Sequence, residues 1–355
     1  MVGLILPANI KYAPYIQNYI NILEKNSVPY EIVWWNKRGI ETPDENSYKK
    51  IMPEKTGFIG KFLYYIGFSK FVRKILKKKK YSKLIVFTLV GGIFLSDVLL
   101  KKYKNNYIFD VRDDSPLRKI FSNRIVSLSK NAELLVSSST CYSKWLNREV
   151  ILCHNTSISA ISNGINYIPS AKASKKIAIT CAGTMLEGVA NLNFLKKYAD
   201  NQDISFKYYG PINENMRLLQ DFANEQEGKN IFFFGPYNKD EIYDIYRNET
   251  DYVNILRHES VVNKEALPNK FYEAVIAGTP FIAYKHNEAI SKYADKYNLG
   301  VVFENEDELF DDNNFMKKLQ SFDYSTYVST RKTFLSEVLA DLEKFETEVT
   351  SFLIQ

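Results

Sequence analysis

Residues 254–284 read NILRHESVVNKEALPNKFYEAVIAGTPFIAY, and this stretch decides the fold. An apolar strand ends near Ile255. A polar loop follows and carries Arg257, His258, Glu259, Lys264 and Glu265. Pro268 stands where a helix begins, since the first helical turn has no use for the amide that proline lacks. The helix runs to Gly278, and Pro280 leads into another apolar strand. Strand, loop, helix and strand of this kind make one βα unit of a parallel sheet, apolar on both faces because helices cover both.

The same grammar extends outward. Downstream, Val301–Phe303 reads as a strand, and a closing helix over about Thr333–Phe352 shows Phe334, Val338, Leu342 and Phe345 at helical spacing. Upstream, strands are expected at Ile231–Phe234, Phe206–Tyr209 and Ile177–Cys181. Residues 155–175 are rich in Ser, Asn, Ala and Lys and read as a connection between domains. Before them come Val150–Cys153, Leu134–Ser137, Tyr107–Val111, Leu84–Thr88, Tyr30–Trp35 and Val2–Leu6, with a helix over about Pro14–Lys25. Leu84–Leu100 holds Gly91, Gly92, Ser96 and Asp97, so it reads as strand, turn and helix rather than as a membrane span. The expected fold is α/β, with two Rossmann-like domains whose parallel sheets face each other across a cleft. The N-terminal domain is placed at 1–168 and the C-terminal domain at 169–335. Residues 336–355 form a helix that could cross back to the N-terminal domain.

Composition agrees. At about 100–200 residues per domain, 355 residues favour two domains, and 45% hydrophobic with 25% charged residues excludes a disordered or fibrous chain. Three cysteines, Cys141, Cys153 and Cys181, show neither metal nor redox spacing, which fits a reducing cytoplasm. Met1–Leu6 lacks the basic start of a signal peptide. No nucleophile triad, P-loop or metal cluster is present in the pattern.

The chemistry concentrates in the opening stretch. The helix start offers free amides and a positive dipole end, which suits a phosphate group. Lys270 lies in the first turn, where the dipole disfavours a cation, and pairing with a phosphate would account for it. Glu265 and Glu273 have seven residues between them, one carboxylate in the loop and one a turn into the helix. That spacing suits gripping two ends of a long polyhydroxylated ligand rather than one atom.

This stretch resembles the E-x7-E signature of retaining GT-B glycosyltransferases, especially glycosyltransferase family 4, which builds capsules, lipopolysaccharides and other bacterial glycans. Glu273–Ala274, Ala277–Pro280 and Phe281–Ile282 match its usual ending. Ile179–Gly183, Tyr208–Gly210, Phe233–Gly235 with Lys239–Tyr246, Ile108–Asp113, Val136–Ser139 and His154–Asn155 resemble other parts of the family pattern. The resemblance implies a GT-B fold and transfer of a hexosyl group from a nucleotide diphosphate sugar, UDP-sugar favoured, to a hydroxyl of a bacterial glycan or lipid-linked oligosaccharide. Retention by front-face attack would need no dedicated general base, and neither cofactor nor metal is expected. Glu273 would bind the ribose hydroxyls and Glu265 the transferred sugar. Leu267, Asn269, Lys270, Gly183 and Tyr237 would complete the donor site. The family's Arg and Lys after the first donor-domain strand are missing, for residues 182–187 read AGTMLE. Arg257 and Lys264 are the candidate replacements, grouped with Glu265 as catalytic. The alternatives are an epimerase or hydrolase of sugar nucleotides on the same fold, or a non-catalytic subunit that anchors a partner transferase at a membrane.

Two N-terminal features remain. Asp110, Arg112 and Asp113 end a strand and could position the acceptor. Alternatively, Asp113, Asp114 or Ser115 caps the helix that follows. His154 and His258 are candidate polar contacts near the cleft. Residues 61–83 hold nine basic residues and no acidic one, with Tyr65, Phe68, Val72, Ile75 and Leu76 near helical spacing. This reads either as a helix lying on an anionic membrane surface or as a core helix with a solvated basic face. The net charge of +6 comes from this patch, and nothing accompanies it that would mark a nucleic-acid binder. A cytoplasmic protein peripheral to the inner membrane face is the expectation.

Overall fold

In unbroken apolar runs such as VGLIL at 2–6, every residue is buried, and such runs become central strands because both sheet faces are covered. A computed structural model describes residues 1–53, 55–170, 176–225 and 230–354. The chain divides into two compact units, Met1–Ser157 with Ala340–Gln355, and Ile158–Leu339.

The first unit holds β1 (Val2–Leu6), β2 (Tyr30–Trp35), β3 (Ser47–Tyr48), β4 (Lys83–Phe87), β5 (Tyr107–Val111), β6 (Leu134–Ser137) and β7 (Ile151–Leu152). They form one parallel sheet in the order β3-β2-β1-β4-β5-β6-β7. β1 sits at the switch, with Leu4 opposite Ile32 on one side and Ile85 on the other. One face packs Trp35, Val72, Leu99 and Phe109, and the other packs Tyr19, Phe87 and Ile108. The second unit holds β8 (Ile177–Ala182), β9 (Ile204–Tyr209), β10 (Ile231–Gly235), β11 (Tyr252–Asn254), β12 (Phe281–Tyr284) and β13 (Gly300–Phe303). Its parallel order is β10-β9-β8-β11-β12-β13. Both sheets therefore share the doubly wound order in which strands run outward from a central switch point.

The boundary differs from the expected 168/169. Helix Ile158–Asn166, inside the stretch read as a connection, belongs to the second unit. A β-carbon on Gly164 would lie 3.2 Å from Ile276 Cγ2, so the two helices approach closely at that glycine. The end of the expected connection, 171–175, lies outside the described residues. The closing helix begins earlier than its periodicity predicts, at Tyr324, and runs to Ile354. Its first turns bury Tyr327, Phe334 and Leu335, with Phe334 edge-on to Phe271 at 5.6 Å. Its last turns add Phe345, Val349 and Phe352 to the first unit's core. Arg331, 1% exposed, donates to the carbonyls of Val275, Ile276, Gly164 and Tyr167. It thereby adds donors to carbonyls at two helix ends, of which Val275 and Gly164 also accept from the Gly278 and Tyr167 amides.

The segment 61–83 is not one element. The helix spans Phe58–Lys78, Lys79 pairs with Glu31 and Glu45, and Lys83 begins β4. Phe68, Val72, Ile75 and Leu76 face the core. The exposed apolar residues lie earlier, at Phe58, Ile59 and Leu63, all more than half exposed. Among the described residues no helix is long and apolar enough to cross a membrane.

Candidate functional site

In a doubly wound sheet, ligands bind at the carboxyl ends of the strands beside the switch point, which in the second unit lies at β8 and β11. Three glycines lie at the carboxyl ends of β8 and its neighbours β9 and β10. The Gly183 amide donates to the Tyr209 carbonyl at 2.9 Å and the Gly210 amide to the Gly235 carbonyl at 2.7 Å. Gly210 has φ +149°, and a β-carbon there would stand 2.2 Å from the Gly183 carbonyl oxygen, so no other residue fits. Gly183 itself has φ +94°, and a β-carbon on it would approach Lys270 Cε at 3.7 Å and the Tyr237 hydroxyl at 3.9 Å. The backbone turn after β8 thus meets the first turn of the Asn269–Ala277 helix.

That helix starts after Pro268, in extended backbone, and ends at Gly278 in the left-handed conformation. The amides of Asn269 and Lys270 have no backbone acceptor among the described residues, as expected of a first turn. Lys270 Nζ reaches the Cys181 thiol at 3.2 Å, a weak partner for a cation. One turn on, Glu273 is half-buried and accepts no hydrogen bond among the described residues. Burial pushes its carboxyl above the usual carboxylate range, while Lys239 and Lys270 pull the other way. The hydroxyls of Tyr237 and Tyr243 are pushed up by burial and then by the Glu273 charge, Tyr243 to about 12. A carboxylate enclosed without a partner, between two cations, can accept bonds from a ligand's hydroxyls while the cations meet its anionic part.

The loop after β11 is held from beneath. Asn254 Nδ2 donates to Asn191 Oδ1 at 2.9 Å, and Asn254 Oδ1 accepts from the Leu256 amide at 3.0 Å. His286 bonds the Arg257 carbonyl at 2.7 Å. Glu187 contacts the His258 ring at Nδ1 and accepts from Asn263 Nδ2 at 3.5 Å. The stretch expected as a continuous loop includes one helical turn, Val261–Glu265, whose start is capped by Ser260 bonding the Asn263 amide at 3.1 Å.

Of the donor residues singled out in the sequence, Gly183, Tyr237, Lys270 and Glu273 come together, and Asn269 opens the same helix. Leu267 is 2% exposed, so only its backbone can serve a ligand. Glu265 is half-buried. Lys264 is exposed and pairs with Glu288 at 2.9 Å, and Arg257 stands in the same loop. Lys239, Cys181 and the Glu187–His258 contact were not assigned from sequence. Glu187 could have been noticed, for it occupies the segment where a cation was expected.

In the first unit, Asp110 and Arg112 face each other at 0% and 3% exposure. Asp110 also accepts from the Tyr19 hydroxyl at 2.7 Å, and Arg112 donates to the Cys153 carbonyl at 2.7 Å and lies over the Tyr15 ring. Asp110 Oδ1 and Arg112 Nε have no hydrogen-bond partner among the described residues. The paired carboxylate holds the guanidinium's proton affinity above its ordinary value, against the effect of burial. Asp113 is exposed, and ahead of the short helix at 117–120, whose N-cap position is Pro116, Asp114 takes the Ser115 amide at 2.6 Å and the Ser115 hydroxyl the Leu117 amide at 3.3 Å. His154 is 2% exposed and bonds Asp341 at 3.0 Å. Among the described residues no group of three or more His, Cys, Asp or Glu could hold a metal ion.

No protein-family profile and no curated protein sequence matches the chain. Solved structures do. The N-terminal domain of a trehalose-6-phosphate phosphatase from Candida albicans matches with TM-score 0.68 at 10% identity, over 99% of each chain. A glycosyltransferase from Rickettsia africae matches with TM-score 0.64 at 12% identity, over 100% of this chain and 98% of that one. The catalytic domain of starch synthase IV from Arabidopsis thaliana, bound to ADP and acarbose, matches with TM-score 0.60 at 10% identity, over 100% and 99%. With the two parallel sheets of seven and six strands, these full-length likenesses establish a GT-B fold of two Rossmann-like domains.

Proposed function

We propose that the chain is a glycosyltransferase that moves a hexosyl group, with retention, from a nucleotide diphosphate sugar to a hydroxyl of a bacterial glycan or lipid-linked oligosaccharide, with a UDP-sugar the favoured donor. The observation that carries this reading is Glu273, enclosed without a hydrogen-bond partner beside Lys239 and Lys270. Glu273 accepts bonds from the ribose hydroxyls. Lys270 and the amides of Asn269 and Lys270 take the diphosphate, and Gly183 leaves it room against the backbone. Tyr237 walls the site, the Leu267 backbone lines it, and Glu265 receives hydroxyls of the transferred sugar. Arg257 and Lys264 are candidate cations for the departing diphosphate, Lys264 by exchanging Glu288 for phosphate.

Asp113 is the acceptor group that solvent reaches, with Asp110 and Arg112 positioning it from beneath. Phe58, Ile59 and Leu63, beside the lysines of the same helix, suit an anionic membrane where a lipid-linked acceptor would lie. Calorimetric titration of UDP, GDP and ADP into wild type and Glu273→Ala tests the donor site, and absence of binding by any of them refutes it. An inverted anomeric configuration in the product, read by NMR, would refute retention.

A further inference from the structure

The segment after β8 carries no cation, yet a leaving diphosphate needs positive charge close by. β8 and β11 are neighbours, with Ile179 opposite Tyr252 and Thr180 opposite Val253. The loops that follow them therefore emerge side by side, at the end of the sheet where Gly183 and Lys270 meet. There the two loops are tied by one carboxylate. Glu187, its side chain 12% exposed, contacts His258 Nδ1 and accepts from the His258 amide at 3.4 Å. Asn263 donates to Glu187 and also to the His258 carbonyl at 2.9 Å. His258 is thus fixed through its amide, its carbonyl and one ring nitrogen. The rest of the ring is open: the side chain is 63% exposed, and Nε2 has no partner among the described residues. Lys264, by contrast, spends its charge on Glu288.

We infer that His258 is a phosphate-facing cation of the donor site, an imidazolium aimed by Glu187, which supplies the charge that residues 182–187 lack. In the protonated ring both nitrogens donate. Nδ1 gives its hydrogen to Glu187, and Nε2 presents the other to a phosphoryl oxygen. The role is electrostatic and moves no proton: as the bond to the sugar breaks, charge gathers on the diphosphate, and a fixed donor there gains strength. This inference rests on the donor-site reading above.

The test uses the full chain, with UDP, GDP and ADP and their monophosphates, titrated into wild type, His258→Gln, His258→Arg and Glu187→Gln. Hydrogen bonds to charged groups are worth enough that His258→Gln should weaken the preferred diphosphate about 10-fold or more. The matching monophosphate should change less than about 2-fold, since the second phosphoryl group is the one lost. His258→Arg should keep most of the diphosphate affinity. Glu187→Gln, which frees the ring without removing it, should reproduce the selective loss more weakly. It carries the test if His258→Gln fails to melt cooperatively. Equal weakening of diphosphate and monophosphate assigns His258 a structural role and overturns the inference, as does unchanged affinity or no rescue by arginine. Wild type that binds no nucleotide removes the donor site and this inference together, whereas wild-type binding with an indifferent His258 removes only the inference.

Discussion

Two groups of charges stand at equivalent places, the carboxyl side of two sheets with the same strand order, and they are built in opposite ways. In the first unit Asp110, Arg112 and Tyr19 close on one another and exclude solvent. In the second, Glu273 and Lys270 lie close in the fold, yet among the described residues the carboxylate accepts nothing and the cation reaches only a thiol. A buried charge is costly unless it is paired. The closed group meets that cost through its own ion pair, although Asp110 Oδ1 and Arg112 Nε stay unbonded among the described residues, and so ties β5 to the helix after β1. The open group meets it only when something else arrives. Equal sheet topology therefore does not confer equal chemistry, and the difference lies in which polar atoms have been left without partners.

The sharpest way to break this contrast is Asp110→Ala, which strands a buried guanidinium. It should cost about 3–5 kcal/mol and lower the melting temperature by roughly 10 °C. A drop under about 2 °C, measured by calorimetry, would mean the closed group is not holding the unit together. Next comes Glu273→Ala, which should weaken the preferred nucleotide about 100-fold, on the order of 2.7 kcal/mol, while the fold survives. A smaller effect runs in the opposite direction. Burial raises the Glu273 carboxyl in the folded state, so the stability it contributes is present below its unfolded value and lost as pH rises through the folded one. Glu273→Gln should accordingly stabilise the protein by about 1 kcal/mol at pH 7, with the gain vanishing near pH 4. Thermal melts across that range check it, and a gain that persists in acid would assign it to something other than charge. The smallest effect is expected at Lys264→Ala, whose exposed pair with Glu288 should be worth less than about 1 kcal/mol. Any change in diphosphate affinity there would instead mark Lys264 as a donor-site cation.

The alternation of strands and helices was legible because doubly covered strands must be apolar throughout, as in β1 and β5. The two-residue strand Ser47–Tyr48 was not, since so short a polar edge has no pattern to read. The domain boundary moved because Ile158–Asn166, rich in Ser and Asn, looks like a connection until Gly164 is seen packed against Ile276. In the site, Glu273 and Lys270 were readable because one helix turn fixes their spacing. Cys181 lies in β8, Glu187 precedes the helix that follows it, and Lys239 comes from the segment after β10, so only the sheet's order brings them near. Tyr65, Phe68 and Val72 show the limit of periodicity: helical spacing marks an apolar face without saying whether protein or lipid covers it.

Arg331 bears on where this chain can be cut. A fragment ending in the loop before Tyr324 would keep all six strands of the second unit and every residue assigned to the donor. It would still lose Arg331, whose guanidinium serves the carbonyls of Val275 and Ile276 at the far end of the helix bearing Lys270 and Glu273. A fragment meant to keep the second unit, and with it the proposed donor site, must therefore extend through Leu339, well past its last recognisable motif.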